Sequence, residues 1–134
     1  MSFLSTLAEI CKVNDYVQPE GMSSRLSTTL PPERLANLHF RRLSFDEVTR
    51  ISSIITNKGD DKNTFGKYAV QLLGATVYIK TDDGVFRGFE KEEIPKLGQL
   101  LDETLVKALV EEAERANYMW GFAKERTTAM VGNS

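Results

Sequence analysis

The sequence predicts a mainly α fold, a single small helical domain of about five helices with one short β-hairpin or extended pair. Three observations carry that expectation. Ser44-Phe45-Asp46-Glu47 has the form of a helix-starting capping box. Two runs, Phe65-Tyr68-Ala69-Leu72-Leu73 and Leu105-Leu109-Ala113-Ala116, place apolar residues at helical spacing. Asp83-Gly84 between Val77-Tyr78-Ile79 and Val85-Phe86 reads as a tight turn joining two extended segments.

From the N-terminus, Ser2 can cap a helix on which Phe3, Leu4, Leu7, Ile10 and Cys11 share one face. The expectation is a docking helix over residues 1–13. Residues 14–37 hold Pro19-Glu20-Gly21, a Ser/Thr-rich run and Pro31-Pro32, which argue against regular structure. They read as a loop or arm, a length of about twenty structureless residues that in a compact domain tends to be functional. Leu38, Phe40 and Leu43 then alternate with His39 and Arg41-Arg42, the pattern of a short strand with one buried face.

Residues 38–124 are expected to form the helical core. After the capping box, Val48, Ile51, Ile54 and Ile55 continue a helix that the Asn57-Lys58-Gly59-Asp60-Asp61 cluster ends. The next helix starts near Asp61 to Thr64 and runs to Leu73, with Gly74 as its stop. Val77 to Ile79 and Val85-Phe86 form the hairpin, which must lean on the helices because two strands alone are marginal in water. Glu90 to Glu93 suit a helix N-terminus, and Pro95 is tolerated only in a first turn or between short helices. Asp102 opens the last helix, with Glu111, Glu112, Glu114 and Arg115 on its wet face. Residues 125–134, which include the small polar stretch from Thr127 to Ser134, are expected to fray.

Composition limits the function classes. A chain of 134 residues, 41% hydrophobic, suits one core, because at that size roughly two thirds of the unfolded surface is buried. Seventeen basic and 19 acidic residues give a net charge of -2, so no global field draws the chain to nucleic acid or to an anionic membrane. Cys11 is the only cysteine, which rules out an internal disulfide framework and a thiol-based zinc cluster. No basic leader and no run of about 18 apolar residues is present. A cytoplasmic protein is expected.

The single histidine, His39, has basic neighbours, so no nucleophilic triad or histidine metal site can be read from it. Aligning Gly84 with the sixth position of a calcium loop puts Ile79 at the first position, where it cannot ligate. No catalytic residue, metal or cofactor is assigned. Arg34, Arg41, Arg42 and Arg50 form a basic cluster that reads first as ordinary pairing with Asp46 and Glu47. The expected partner-binding residues are aromatic: Phe86 and Phe89 beside Gly84 and Gly88, and Tyr118, Trp120 and Phe122 at the end of the last helix. Such side chains bury large area with few rotors.

Taken together, the N-terminal helix, the Gln18-Pro19-Glu20-Gly21 stretch and the His39-Phe40-Arg41-Arg42-Leu43-Ser44-Phe45-Asp46-Glu47 run resemble the tail assembly chaperones of long-tailed bacteriophages and prophages. So do the Asp83-Gly84-Val85-Phe86 turn, the acidic step at Glu90 to Glu93, the leucine helix and Asn117 near its end. The resemblance covers nearly the whole chain, with a longer Ser/Thr-rich insert from Gly21 to Leu35 and an aromatic extension from Tyr118 to Lys124. It implies a non-enzymatic assembly factor that binds the tape measure protein, helps recruit the major tail protein, and stays in the host cytoplasm when the virion is finished. Weak homo-oligomers are expected from the apolar N-terminal helix and the Tyr118 to Phe122 cluster. A helical adaptor that binds one protein partner is the alternative.

Overall fold

Four strands assemble into one antiparallel sheet, and this overturns the expectation of a mainly α chain with one isolated hairpin. The computed structural model describes residues 2–57 and 62–119, so the Lys58 to Asp61 part of the turn cluster and everything after Met119 lie outside it. Among the described residues the order is α1 (Phe3–Cys11), β1 (Tyr16–Val17), α2 (Met22–Leu26), α3 (Pro32–Leu35), β2 (Leu38–Arg41), α4 (Phe45–Asn57), α5 (Lys62–Thr76), β3 (Val77–Lys80) and β4 (Phe86–Gly88). A 3-10 turn at Ile94–Lys96 then leads into α6 (Leu97–Leu100) and α7 (Glu103–Ala116).

The hairpin β3–β4 forms around the Asp83-Gly84 turn, with Gly84 at φ +83°. Its stability comes from a neighbour the sequence left separate. The Leu38–Arg41 segment pairs with β3, His39 opposite Tyr78 and Phe40 opposite Val77, and β1 adds Tyr16 opposite Arg41 on the far side. Three or more strands with one apolar face satisfy the condition that a lone hairpin fails. Leu38, Phe40 and Val77 turn into the core, and α5 and α7 pack on that face.

The segment 14–37, expected as a loop or arm, holds three short elements. Its prolines and glycine start helices rather than forbid them: Pro32 stands in the first turn of α3, where its missing N–H costs nothing, and Gly21 at φ +80° caps α2. Met22, Leu26 and Leu35 from these helices are fully part of the core. Gln18 holds the segment in place by donating from Nε2 to the carbonyls of Leu38 and Leu35 at 2.9 and 3.2 Å.

The capping box forms as read. The Glu47 amide donates to Ser44 Oγ at 3.3 Å and the Ser44 amide to Glu47 Oε1 at 3.1 Å. Gly74 is not a stop: α5 runs on to Thr76. The helix passes close to Ile94 there, so a Cβ would crowd its side chain, meeting Cγ2 at 3.0 Å.

Two side chains placed on the wet face of α7 are in fact buried. Glu112 and Glu114 are each 1% exposed. The helix is covered on that side by α2 and α5, and each carboxylate has a partner, as burial of a charge demands. Arg25 Nε and Nη2 donate to Glu112 at 2.7 and 2.6 Å, and the Tyr68 hydroxyl donates to Glu114 at 2.5 Å. Burial beside that carboxylate pushes the Tyr68 phenol well above its ordinary range and keeps the proton on the donor.

Asn117 joins the last helix to the sheet. Its Oδ1 accepts from the Leu43 amide at 2.7 Å, while Nδ2 donates to the carbonyls of Ala113 and Arg41 at 3.1 and 3.3 Å. Beside it, Arg41 donates to Glu47 at 2.6 and 3.2 Å, to Asn14 Oδ1 at 2.7 Å and to the Ala75 carbonyl at 3.0 Å.

Asn117→Ala is expected to lower stability by about 1–3 kcal/mol, because it strands the buried Leu43 amide. Urea denaturation should show a reduced midpoint with an unchanged slope. The Arg41 fork, aided by the Ser44 amide and hydroxyl, holds the Glu47 carboxyl below the ordinary glutamate range. A carboxyl depressed on folding adds stability that is present above its unfolded pKa and lost as pH falls through the folded value. Glu47→Gln should therefore be less stable than the parent at neutral pH, and the gap should close as pH falls through the acid range.

Candidate functional site

The five aromatic residues expected at a binding surface separate into three groups. Phe86 does not project. Strand register puts Tyr16, His39, Tyr78 and Phe86 on the sheet face opposite the core, and their rings cover one another there. Tyr16 and Phe86 stack at 4.2 Å between centroids, Tyr16 and Tyr78 meet at 4.8 Å, and His39 stands edge-on to Phe86 at 4.9 Å. Tyr78 lies so close over Gly88 that a Cβ there would meet its ring at 2.8 Å. Phe89 is partly buried and packs against the core. Both residues have structural work to do in this arrangement.

Tyr118 is the exposed one, at 83%. Its φ of +57° is left-handed backbone, uncommon away from glycine, and it turns the ring out of the α7 line. The ring lies against Arg42, whose Cζ is 4.6 Å from its centroid, within range of a cation–π contact. Trp120 and Phe122 lie outside the described residues.

The N-terminal helix α1, expected to dock and to offer apolar surface for self-association though not named among the site residues, carries exposed apolar side chains. Its capping is complete: Ser2 Oγ accepts from the Ser5 amide at 3.0 Å, and Lys12 in left-handed backbone returns its amide to the Glu9 carbonyl at 3.2 Å. No residue of it is buried. Phe3, Leu4 and Ile10 are 78%, 76% and 68% exposed, and Leu7 is exposed as well. The periodic stripe was a correct sign of a helix; it carried no sign of whether a core waited for that stripe. Hydrophobic spacing reports which face wants cover, not where the cover comes from.

The foot of α1 opens onto a groove of about 1080 Å³. Ile10, Cys11 and Lys12 form one wall, the strand-to-helix turn from Val17 to Glu20 another, and Arg42, Arg115, Ala116 and Tyr118 the floor and far side. Three cations and one carboxylate line it, a local excess that the overall charge of -2 conceals.

His39 sits half-buried with Nδ1 at 3.1 Å from the Asn37 carbonyl. Among the described residues no cluster of His, Cys, Asp and Glu side chains has the arrangement of a metal site, and no helix is long and apolar enough to cross a membrane. Set against protein-family models, curated proteins and solved structures, the chain matches none.

Phe86→Ala is expected to cost about 1–2 kcal/mol of stability, since it removes a half-buried ring and a stacked pair. Tyr118→Ala should stay within about 0.5 kcal/mol of the parent, as exposed substitutions do. Parallel urea titrations of the two variants check the contrast.

Proposed function

We propose that this chain is a non-enzymatic tail assembly chaperone of the long-tailed phage type. On this reading it binds the tape measure protein in the host cytoplasm, helps recruit the tail tube protein, and leaves before the virion is complete. The observation that carries the proposal is α1, a capped helix with four large apolar side chains in solvent and none in the core. An exposed apolar patch of that kind on a chain with an adequate core marks a surface meant for a partner. The resemblance in sequence order supplies the identity of the client.

The magnitudes suit a reversible coat. Four fully covered apolar side chains are worth about 6–12 kcal/mol gross, and association consumes about 4–15 kcal/mol of that in lost freedom. One copy on one stretch of client is therefore weakly held. Many copies along a long helical client, touching each other through the same surfaces, would hold together by effective concentration. They would also come apart when a competing tube subunit arrives.

Co-expression tests this directly. Phe3→Ser with Leu4→Ser is expected to leave folding intact, because neither side chain is buried, and to cut the soluble tape measure protein several-fold. Undiminished solubility would refute α1 as the client surface. A complex containing one copy per client chain would remove the coating part of the proposal and leave a single-partner adaptor.

A further inference from the structure

The groove at the foot of α1 carries chemistry that the apolar stripe does not. Arg42 is the arginine to notice. Arg25 and Arg41 are each forked onto a glutamate, and Arg115 stands 3.9 Å from Glu112. The Arg42 side chain makes no hydrogen bond or ion pair among the described residues, and its Nε is buried without an acceptor. A buried donor left unmatched is uncommon in folded proteins and calls for a reason.

The guanidinium is nevertheless held. Its Cζ lies over the Tyr118 ring, and its backbone is fixed on both sides, with the Arg42 amide donating to the Asp15 carbonyl and the Asn14 amide donating back to the Arg42 carbonyl, each at 2.8 Å. Lys12 and Arg115 add positive charge around the same groove, and Glu20 is the one acid lining it. A guanidinium is a planar fork matched to a carboxylate, and one held beside an aromatic ring loses less freedom when it takes one. The remaining lining is mostly apolar, Ile10, Cys11, Val17, Pro19, Ala116 and the Tyr118 ring, with Gln18 as its uncharged polar member.

We infer that this groove receives an acidic, amphipathic segment of a partner protein, with a carboxylate of the segment taken by Arg42 and its apolar side laid on Ile10, Val17 and Tyr118. The inference rests on the reading of α1 as a client surface for its location, and adds a charge requirement that α1 alone does not impose. Nucleic acid is the less favoured occupant: Tyr118 is the one aromatic side chain lining the groove, whereas single strands are held by a series of stacking platforms.

The test uses the full chain and two fluorescent synthetic peptides, one built from Leu and Glu at helical spacing and the other with Lys at every Glu position. Anisotropy is expected to show binding of the Glu peptide that weakens with added salt, and no comparable binding of the Lys peptide. Arg42→Gln should weaken the Glu peptide about tenfold, in line with loss of one charge-assisted contact. Should Arg42→Gln unfold, Tyr118→Ala decides in its place, since it removes both the ring beside the guanidinium and part of the apolar surface the segment would cover; a loss of about threefold is expected.

Equal binding of both peptides, or affinity for the Glu peptide untouched by either variant, overturns the inference. So does displacement of the peptide by inorganic phosphate or by a short single-stranded oligonucleotide at matched concentration. The two proposals fail separately. If Phe3→Ser with Leu4→Ser abolishes client solubilisation while Arg42→Gln leaves it and the Glu peptide unchanged, the client surface stands and the acid-binding groove does not.

Discussion

One side chain fixes where the last helix meets the sheet. Asn117 gives both ends of its amide to that junction, accepting from Leu43 and donating to Arg41 and Ala113. Because the bonds span strand, connector and helix, α7 must end level with the end of β2. The consequence runs outward by one residue. Tyr118, forced into left-handed backbone at that stop, is set over Arg42, the residue just beyond the strand. The groove floor is thus an output of a buried amide, and the surface chemistry inherits the precision of the core contact beneath it.

The same core leaves α1 outside. Met22, Leu26 and Leu35 from the short helices α2 and α3 fill the space beside α7, and Arg25 locks α2 to Glu112. Nine residues without tertiary packing form a marginal helix even when both ends are capped, and on the proposed reading α1 would gain order from the client that covers it. A partner that supplies an apolar surface would convert that marginal element into a stable one. Part of the binding energy is spent on ordering, which keeps the contact reversible.

Much of the chain was legible where local chemistry decides. The Ser44–Glu47 box, the Asp102 cap on Leu105 and the Asp83-Gly84 turn follow from neighbours within four residues. The Leu38–Arg41 strand was legible but its pairing was not, and β1 was missed altogether, because both pairings are remote in sequence. Tyr16–Val17 is two residues long, and its partner lies more than twenty residues away. Glu112 and Glu114 were misplaced for a related reason: a charged residue reads as wet until the arginine or tyrosine that neutralises it is seen, and those stand at Arg25 and Tyr68. For the candidate site the lesson is opposite. The α1 stripe was visible and was expected both to dock and to leave apolar surface over, and among the described residues it stands uncovered, while Phe86 lies stacked against Tyr16 on the outer face of the sheet.

The account stands or falls on α1 and its groove being the face that a client covers. Hydrogen–deuterium exchange on the full chain, alone and with a soluble fragment of the tape measure protein, measures this most directly. In the free protein the amides of residues 3–12 should exchange close to the unfolded rate, as expected for a helix without packing. With the fragment present, protection should concentrate there and around Arg42 and Tyr118, leaving the Tyr16–Phe86 face of the sheet unchanged. Protection that instead falls on that sheet face, or spares residues 3–12, would contradict the account.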